Sequence, residues 1–171
     1  QTYAVAGYQV AVCDINDDAI TATKHAVFDG KWGIKRGVER GKIPFDDAVA
    51  AMGRVSFGTD HGVLADCDYI IEAIPEKLEL KQQVLAALDK VVKPEAIFAS
   101  NTSGFVIEEV ARDVSEARKK LFIGMHFSNP VTTMRMCEII YTPQSAQDTI
   151  DAGVKLGEAG GKAVSLVKDT P

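Results

Sequence analysis

Short apolar runs fenced by polar or turn-forming residues recur along the chain. Residues Tyr8–Asp14 (YQVAVCD), Asp68–Ile74 (DYIIEAI), Ala96–Thr102 (AIFASNT) and Leu121–Phe127 (LFIGMHF) are nearly continuous in apolar side chains, the pattern of strands covered on both faces. Arg54–Gly58 (RVSFG) is a weaker example. Between them the period changes. Leu78–Val92 carries apolar residues at 78, 80, 84, 85, 88, 91 and 92, one face of a helix, with Pro94 beyond its end. Asp17 to Gly41 reads as a long polar helical stretch or two helices, and Val106–Asp113 as a shorter helix. This alternation predicts β-α-β units and a parallel sheet with helices on both faces.

The last third reads differently. Cys137–Thr142 (CEIIYT) follows the run ending at Phe127 after only nine residues, too few for a parallel crossover, so an antiparallel return is expected. Ser145 with Asp148 forms a capping-box pattern for a helix running to Ala159. Gly160-Gly161 ends that helix, and Ala163–Asp169 is a final strand. At the other end, QTYAVAG reads as the close of a helix and a glycine turn at Gly7, followed by a strand that ends in Asp14. An acidic residue after the second strand is where a dinucleotide-binding unit holds a ribose, although most such residues are turn formers or caps.

The 171 residues suffice for one domain with a core, and 46% apolar against 25% charged residues is ordinary for a globular protein. The net charge of −5 argues against general nucleic-acid binding, and no apolar run is long enough for a membrane helix. No partner of either kind is expected. Cys13, Cys67 and Cys137 lack metal-ligand or disulfide spacing, so no metal site and a reducing cytoplasm are expected.

Two polar residues stand out because their neighbours are apolar. His126 closes one hydrophobic run and Glu138 sits early in the next. An imidazole and a carboxylate in such settings need partners, and two antiparallel neighbours would supply each with the other. A histidine at a strand end is more often structural, a glutamate early in a strand more often an edge residue, and "SNTS" by itself more often a turn. Order and spacing taken together change that weighting. His25 and His61 sit in polar contexts and take only the structural reading.

"AGYQVAVCDIN", "DYIIEAIPEKLELKQQV", "IFASNTSG", "GMHFSNPVTTMRMCEII" and "VSLVKDTP" resemble, in order and over nearly the whole chain, the NAD-binding domain of the L-3-hydroxyacyl-CoA dehydrogenase family. The resemblance implies a Rossmann-type, doubly wound α/β fold with a mostly parallel sheet and an antiparallel C-terminal extension. It implies one NAD-binding domain over residues 1–171, short of the family's first strand with its glycine-rich loop and of the helical domain that follows. By position, His126 and Glu138 match the catalytic pair and Ser103 the serine between cofactor and substrate. Asp14 matches the ribose-binding acid that favours NAD over NADP. Glu76 and Lys81 match residues near the nicotinamide, and Asn129 the asparagine of the H-x-x-N-P motif.

The activity so implied is reversible oxidation of an L-3-hydroxyacyl-CoA to the 3-oxoacyl-CoA, with NAD as cofactor, an acyl-CoA as partner, and a homodimer formed through the helical domain. The alternatives are a dehydrogenase of a non-CoA hydroxy acid such as a sugar acid, a non-catalytic NAD-binding protein on the same scaffold, or a piece of a multifunctional β-oxidation protein. The basic cluster Lys31, Lys35, Arg36, Arg40 and Lys42, paired 31/35 and 36/40 on helix faces, is either a CoA-phosphate attractor or a solvated surface. Trp32 and Phe28 beside it read as packing. Gly30 and Gly37 stand near positions where the family has polar or basic CoA contacts.

Overall fold

A computed structural model describes residues 1–170 and divides the chain into two compact units, 1–64 with 129–133, and 65–128 with 134 onward.

In the first unit a short helix α1 (Thr2–Val5) turns at Gly7, whose φ of +100° is a left-handed conformation suited to glycine. Strand β1 (Val10–Cys13) follows and pairs in parallel with β2 (Val55–Gly58), with Val10 opposite Val55 and Cys13 opposite Gly58. Helix α2 (Asp17–Phe28) starts where Asn16 accepts the Ala19 amide, with Asp17 and Asp18 in the first turn. Residues 29–33 separate it from α3 (Ile34–Glu39), so the polar stretch is the pair of helices that was one of its two readings. Lys31 therefore does not share a helix face with Lys35. Helix α4 (Phe45–Gly53), which the sequence pattern did not suggest, packs Ala48 and Ala51 with Ala4 and Ile34 into this unit's core. A 3-10 turn covers His61–Leu64.

The second unit is built on a five-stranded sheet of β3 (Tyr69–Glu72), β4 (Ile97–Ser100), β5 (Phe122–Phe127), β6 (Met136–Tyr141) and β7 (Ala163–Lys168) in that order. All its pairings are parallel except β5–β6, the expected antiparallel return. Helix α5 (Leu78–Leu88) is shorter than its apolar pattern suggested, and its residues 81, 82, 85 and 88 face inward. Helices α6 (Ile107–Val110) and α7 (Glu116–Lys119) are single turns. Helix α8 (Gln147–Ala159) packs on one face of the sheet through Ile150, Gly153 and Gly157. A Cβ at Gly153 would stand 2.5 Å from Ile123 Cδ1, and one at Gly157 2.7 Å from Val164 Cγ2, so the glycines permit this close seating. On the opposite face Ile107 of α6 lies against Gly124. Helices thus cover both faces, as the alternating pattern required.

The capping box is not formed. Ala146 is the N-cap of α8, while Ser145 Oγ donates to the Phe122 carbonyl at 2.7 Å and accepts the Thr142 amide at 3.1 Å. Ser145 ties the β6–α8 turn back to β5, and that use outcompetes capping.

Candidate active site

Register decides which polar side chains can meet, because residues opposite one another in paired strands point to the same side. Glu72 is opposite Ser100, and Ser100 is opposite Gly124. Two residues further along β5, on the same face, His126 is opposite Glu138, and Glu138 is opposite Ser165. The buried carboxylate, the serine, the imidazole and the second carboxylate therefore share one face near the carboxyl ends of β3, β4 and β5. In open α/β sheets that is the end where ligands bind.

His126 Nδ1 lies 2.8 Å from Glu138 Oε2, both side chains being about 30% exposed (32% and 30%). With Nδ1 donating to the carboxylate, Nε2 keeps a free lone pair. The next residue is held as well, since the Phe127 amide donates to Asn101 Oδ1 at 2.9 Å and ties the end of β5 to the loop leaving β4.

That loop carries Ser103. Glu76 Oε1 accepts the amides of Ser103 and Gly104 at 3.1 and 3.2 Å, as well as the Thr102 hydroxyl. Ser103 itself is exposed, and its hydroxyl is not drawn into this cradle. Lys81 Nζ donates to Glu72 Oε1 at 2.7 Å and to the Ile74 carbonyl at 3.1 Å, and pairs with Glu76 Oε2 at 3.1 Å. Glu72 also accepts the Ser100 hydroxyl at 2.6 Å and the Ile74 amide at 2.8 Å. Burial works to raise the Glu76 carboxyl. Hydrogen bonds from Thr102, Lys81 and the Ser103 amide, with the charge of Lys81, outweigh it and hold the carboxyl below its ordinary value.

Asp14 belongs to the first unit. It follows β1 directly, is half-buried, and its Oδ1 accepts the Ile15 amide at 2.8 Å. The other carboxylate oxygen remains as an acceptor, which fits the hydroxyls of a ribose. Asn129, exposed and joined to Pro130 by a cis peptide, is also grouped with that unit. The structure thus brings His126 to Glu138, and the Ser103 amide to Glu76, whose other oxygen Lys81 holds.

Glu72, Asn101 and Thr102 were not singled out from the sequence. Glu72 was open to the reasoning applied to His126, being a charge closing an apolar strand. Burial pushes up the thiols of Cys13 and Cys67, and raises that of Cys137 to about 11, so none is poised as a thiolate nucleophile. Among the described residues no group of His, Cys, Asp and Glu could hold a metal, and no helix is long and apolar enough to cross a membrane.

The basic cluster is partly spent on internal pairs, Lys35 with Asp29 and Arg36 with Glu39. Trp32 is 37% exposed, with Lys31 Nζ 5.2 Å and Arg40 Cζ 5.4 Å from its ring centre. Phe28 packs edge-on against Phe57. A Cβ at Gly30 would lie 2.8 Å from the Ala26 carbonyl oxygen, and one at Gly37 2.4 Å from Ile43 Cδ1. At Gly30 the close neighbour is backbone and leaves no room for a side chain, whereas at Gly37 the Ile43 side chain would have to shift.

A mostly parallel α/β sheet with helices on both faces and polar groups gathered at the carboxyl ends of its strands has the architecture of a Rossmann-type nucleotide-binding domain. The family model for the 3-hydroxyacyl-CoA dehydrogenase NAD-binding domain matches residues 1–170. The chain belongs to this family, whose cofactor is NAD. It is 34% identical over its whole length to a probable 3-hydroxybutyryl-CoA dehydrogenase of Deinococcus radiodurans, and 32% identical to the mitochondrial hydroxyacyl-coenzyme A dehydrogenase of Homo sapiens, covering 59% and 55% of those proteins. The crystal structure of (S)-3-hydroxybutyryl-CoA dehydrogenase from Ralstonia eutropha superposes with a TM-score of 0.92 at 34% identity, over 99% of this chain and 58% of that one. The chain therefore spans a little over half the length of each of these three relatives.

Proposed function

We propose that the protein carrying this domain oxidises an L-3-hydroxyacyl-CoA reversibly to the 3-oxoacyl-CoA. The observation that carries this reading is the His126–Glu138 pair, 2.8 Å apart on the face that also carries Ser100 and Glu72. Bound NAD supplies the hydride acceptor. By the family resemblance, Asp14 would hold the adenosine ribose, repelling the extra phosphate of NADP, with Glu76 and Asn129 toward the nicotinamide half and Lys81, 1% exposed, behind Glu76.

His126 Nε2 removes the hydroxyl proton as the carbon–hydrogen bond breaks, and returns it in the reverse direction. The resulting imidazolium faces Glu138, whose charge stabilises it and whose acceptor oxygen fixes the ring tautomer. Ser103 donates its hydroxyl to the substrate oxygen, stabilising the charge that develops there. Its backbone amide is already committed to Glu76, so the side chain is the group left for substrate. The acyl-CoA substrate and a homodimer formed outside this domain follow from the family resemblance. The absence of metal-ligand and disulfide spacing among the cysteines supports a cytoplasmic setting.

A second reading has its own support. The pairing of Lys35 and Arg36 with local carboxylates leaves less basic surface for the CoA phosphates, which favours a non-CoA hydroxy acid. The test is to assay full-length enzyme with NADH and a 3-oxobutyryl group presented as the CoA thioester, as a truncated thioester without the nucleotide, and as the free acid. Turnover of the CoA thioester alone, or its preference by a large kcat/KM ratio, supports the first reading. Equal kcat/KM for thioester and free acid supports the second.

A further inference from the structure

The polar groups behind Ser103 form a closed circuit. It begins at Ser100, the last residue of β4, whose hydroxyl donates to Glu72 Oε2 at 2.6 Å. Glu72 Oε1 takes Lys81 Nζ at 2.7 Å, and Lys81 meets Glu76 Oε2 at 3.1 Å. Glu76 Oε1 then takes the Thr102 hydroxyl and the amides of Ser103 and Gly104. The circuit returns to within four residues of its start, having passed through β3, α5 and the β3–α5 loop. The side chains of Lys81 and Glu72 are each 1% exposed, whereas that of Glu76 is 42% exposed. A charge pair removed from water in this way is held by its partners. The three N–H groups of Lys81 have Glu72, Glu76 and the Ile74 carbonyl as acceptors, so its ammonium is saturated by the protein itself.

We propose that Glu72 and Lys81 are positioning residues for Ser103, acting through Glu76. The proposal rests on the reaction proposed above. Glu76 alone is a half-exposed side chain with free rotamers. Lys81, fixed from below by Glu72, holds one of its oxygens and turns the other toward the Ser103 and Gly104 amides. The loop is then set before substrate arrives, and the Ser103 hydroxyl stands at a fixed distance from the reacting oxygen. A displacement of about 1 Å at such a group costs on the order of 10²-fold in rate. A lysine merely filling the core would need neither the second carboxylate nor the amide cradle beyond it.

The test separates positioning from stability. Lys81→Met alone strands the buried Glu72 charge and is expected to lower Tm. Glu72→Gln combined with Lys81→Met removes both charges and keeps the shape, so Tm is expected to recover toward the parent value. Ser103 and Gly104 amide hydrogen exchange and kcat are then measured on full-length enzyme carrying the double substitution. The expected result is faster exchange at both amides and a kcat lowered by about 10–10²-fold with KM changed far less. Unchanged exchange at those amides overturns the proposal whatever the substrate proves to be. Faster exchange with parental kcat overturns it too, since the loop order would not matter to the reaction. Parent enzyme that fails to turn over the CoA thioester refutes the functional reading instead. In that event the exchange measurement alone decides whether Glu72 and Lys81 order the Ser103 loop.

Discussion

His126 and Glu138 occupy directly opposed positions in the antiparallel pair β5–β6, and their side chains meet with Nδ1 2.8 Å from Oε2. Opposed positions in such a pair hold their Cβ atoms about 5 Å apart, so the contact is written into the strand register. A slip of one residue would send either side chain to the other face.

The first prediction concerns this pair. His126→Ala is expected to lower kcat by about 10²–10⁴-fold, the usual worth of a placed acid–base group, with NAD affinity nearly unchanged. Glu138→Gln removes the charge facing the imidazolium and is expected to lower kcat as well. The double variant should lose far less than the product of the two single losses, because the residues act as a unit. Steady-state kinetics of all four proteins, with NAD binding measured separately, provides the check. Strict multiplication of the losses would separate the two roles.

Asp14→Ala is expected to raise KM for NAD and narrow the preference over NADP, since the carboxylate both binds the diol and repels a 2′-phosphate. The measurement is kcat/KM for both cofactors in parent and variant. A parent enzyme that uses both equally would remove Asp14 from the ribose.

Arg118 is a structural charge of another kind. Its side chain is 2% exposed, and the guanidinium donates to Asp89 Oδ1 at 2.8 Å, to the Lys93 carbonyl at 3.0 Å and to the Ala96 carbonyl, with Cζ over the Phe98 ring 4.4 Å from its centre. Arg118→Met strands Asp89 and should destabilise the fold by about 3–5 kcal/mol. The drop in Tm of full-length enzyme checks it.

Asp89 adds a pH dependence. Burial works to raise its carboxyl, but the Arg118 and Ser115 hydrogen bonds outweigh it and hold the group below the ordinary value. A depressed folded-state pKa gives stability that is complete above the unfolded value of about 3.9 and is lost as pH falls through the folded value. The stability gap between parent and Asp89→Asn should therefore be widest near neutrality and close below about pH 4. A gap that widens on acidification would reverse the assignment.

Gly153 supplies a packing prediction. A methyl there meets Ile123 Cδ1 at 2.5 Å, and Ile123 can move only by disturbing the core. Gly153→Val should cost about 1–3 kcal/mol through overpacking, read as a lower Tm with unaltered NAD affinity.

Strands β4 and β5 were the most legible part of the sequence, because their burial on both faces leaves continuous apolar runs that polar turns interrupt. The β5–β6 reversal was legible from loop length alone. Helix α4 was not, since it starts after Pro44 with no side-chain cap and is only nine residues long. The Ser145–Asp148 pattern misled because a serine hydroxyl serves whichever backbone group folding brings nearest, and here that was the Phe122 carbonyl. At the site, His126 and Glu138 announced themselves as polar residues in apolar strands. Glu72 carried the same signal, hidden by its neighbours' reading as a plain buried strand. Lys81 stands in line with Leu78, Leu85 and Leu88, and a lysine in a core-facing stripe already implies a buried anion.

Asp169, just beyond β7, accepts the amides of Ile107 and Glu108, both at 3.0 Å. Helix α6 is four residues long, too short to persist without outside support, and this carboxylate lies 61–62 positions away along the chain. A contact so distant in sequence closes late in folding. The segment from Ser103 to Val110 should therefore be among the last to gain exchange protection during refolding, in step with β7 and after the β5–β6 hairpin. Recovery of activity should follow that final event. A hydrogen-exchange pulse that finds Ile107 and Glu108 protected before β7 would break this order.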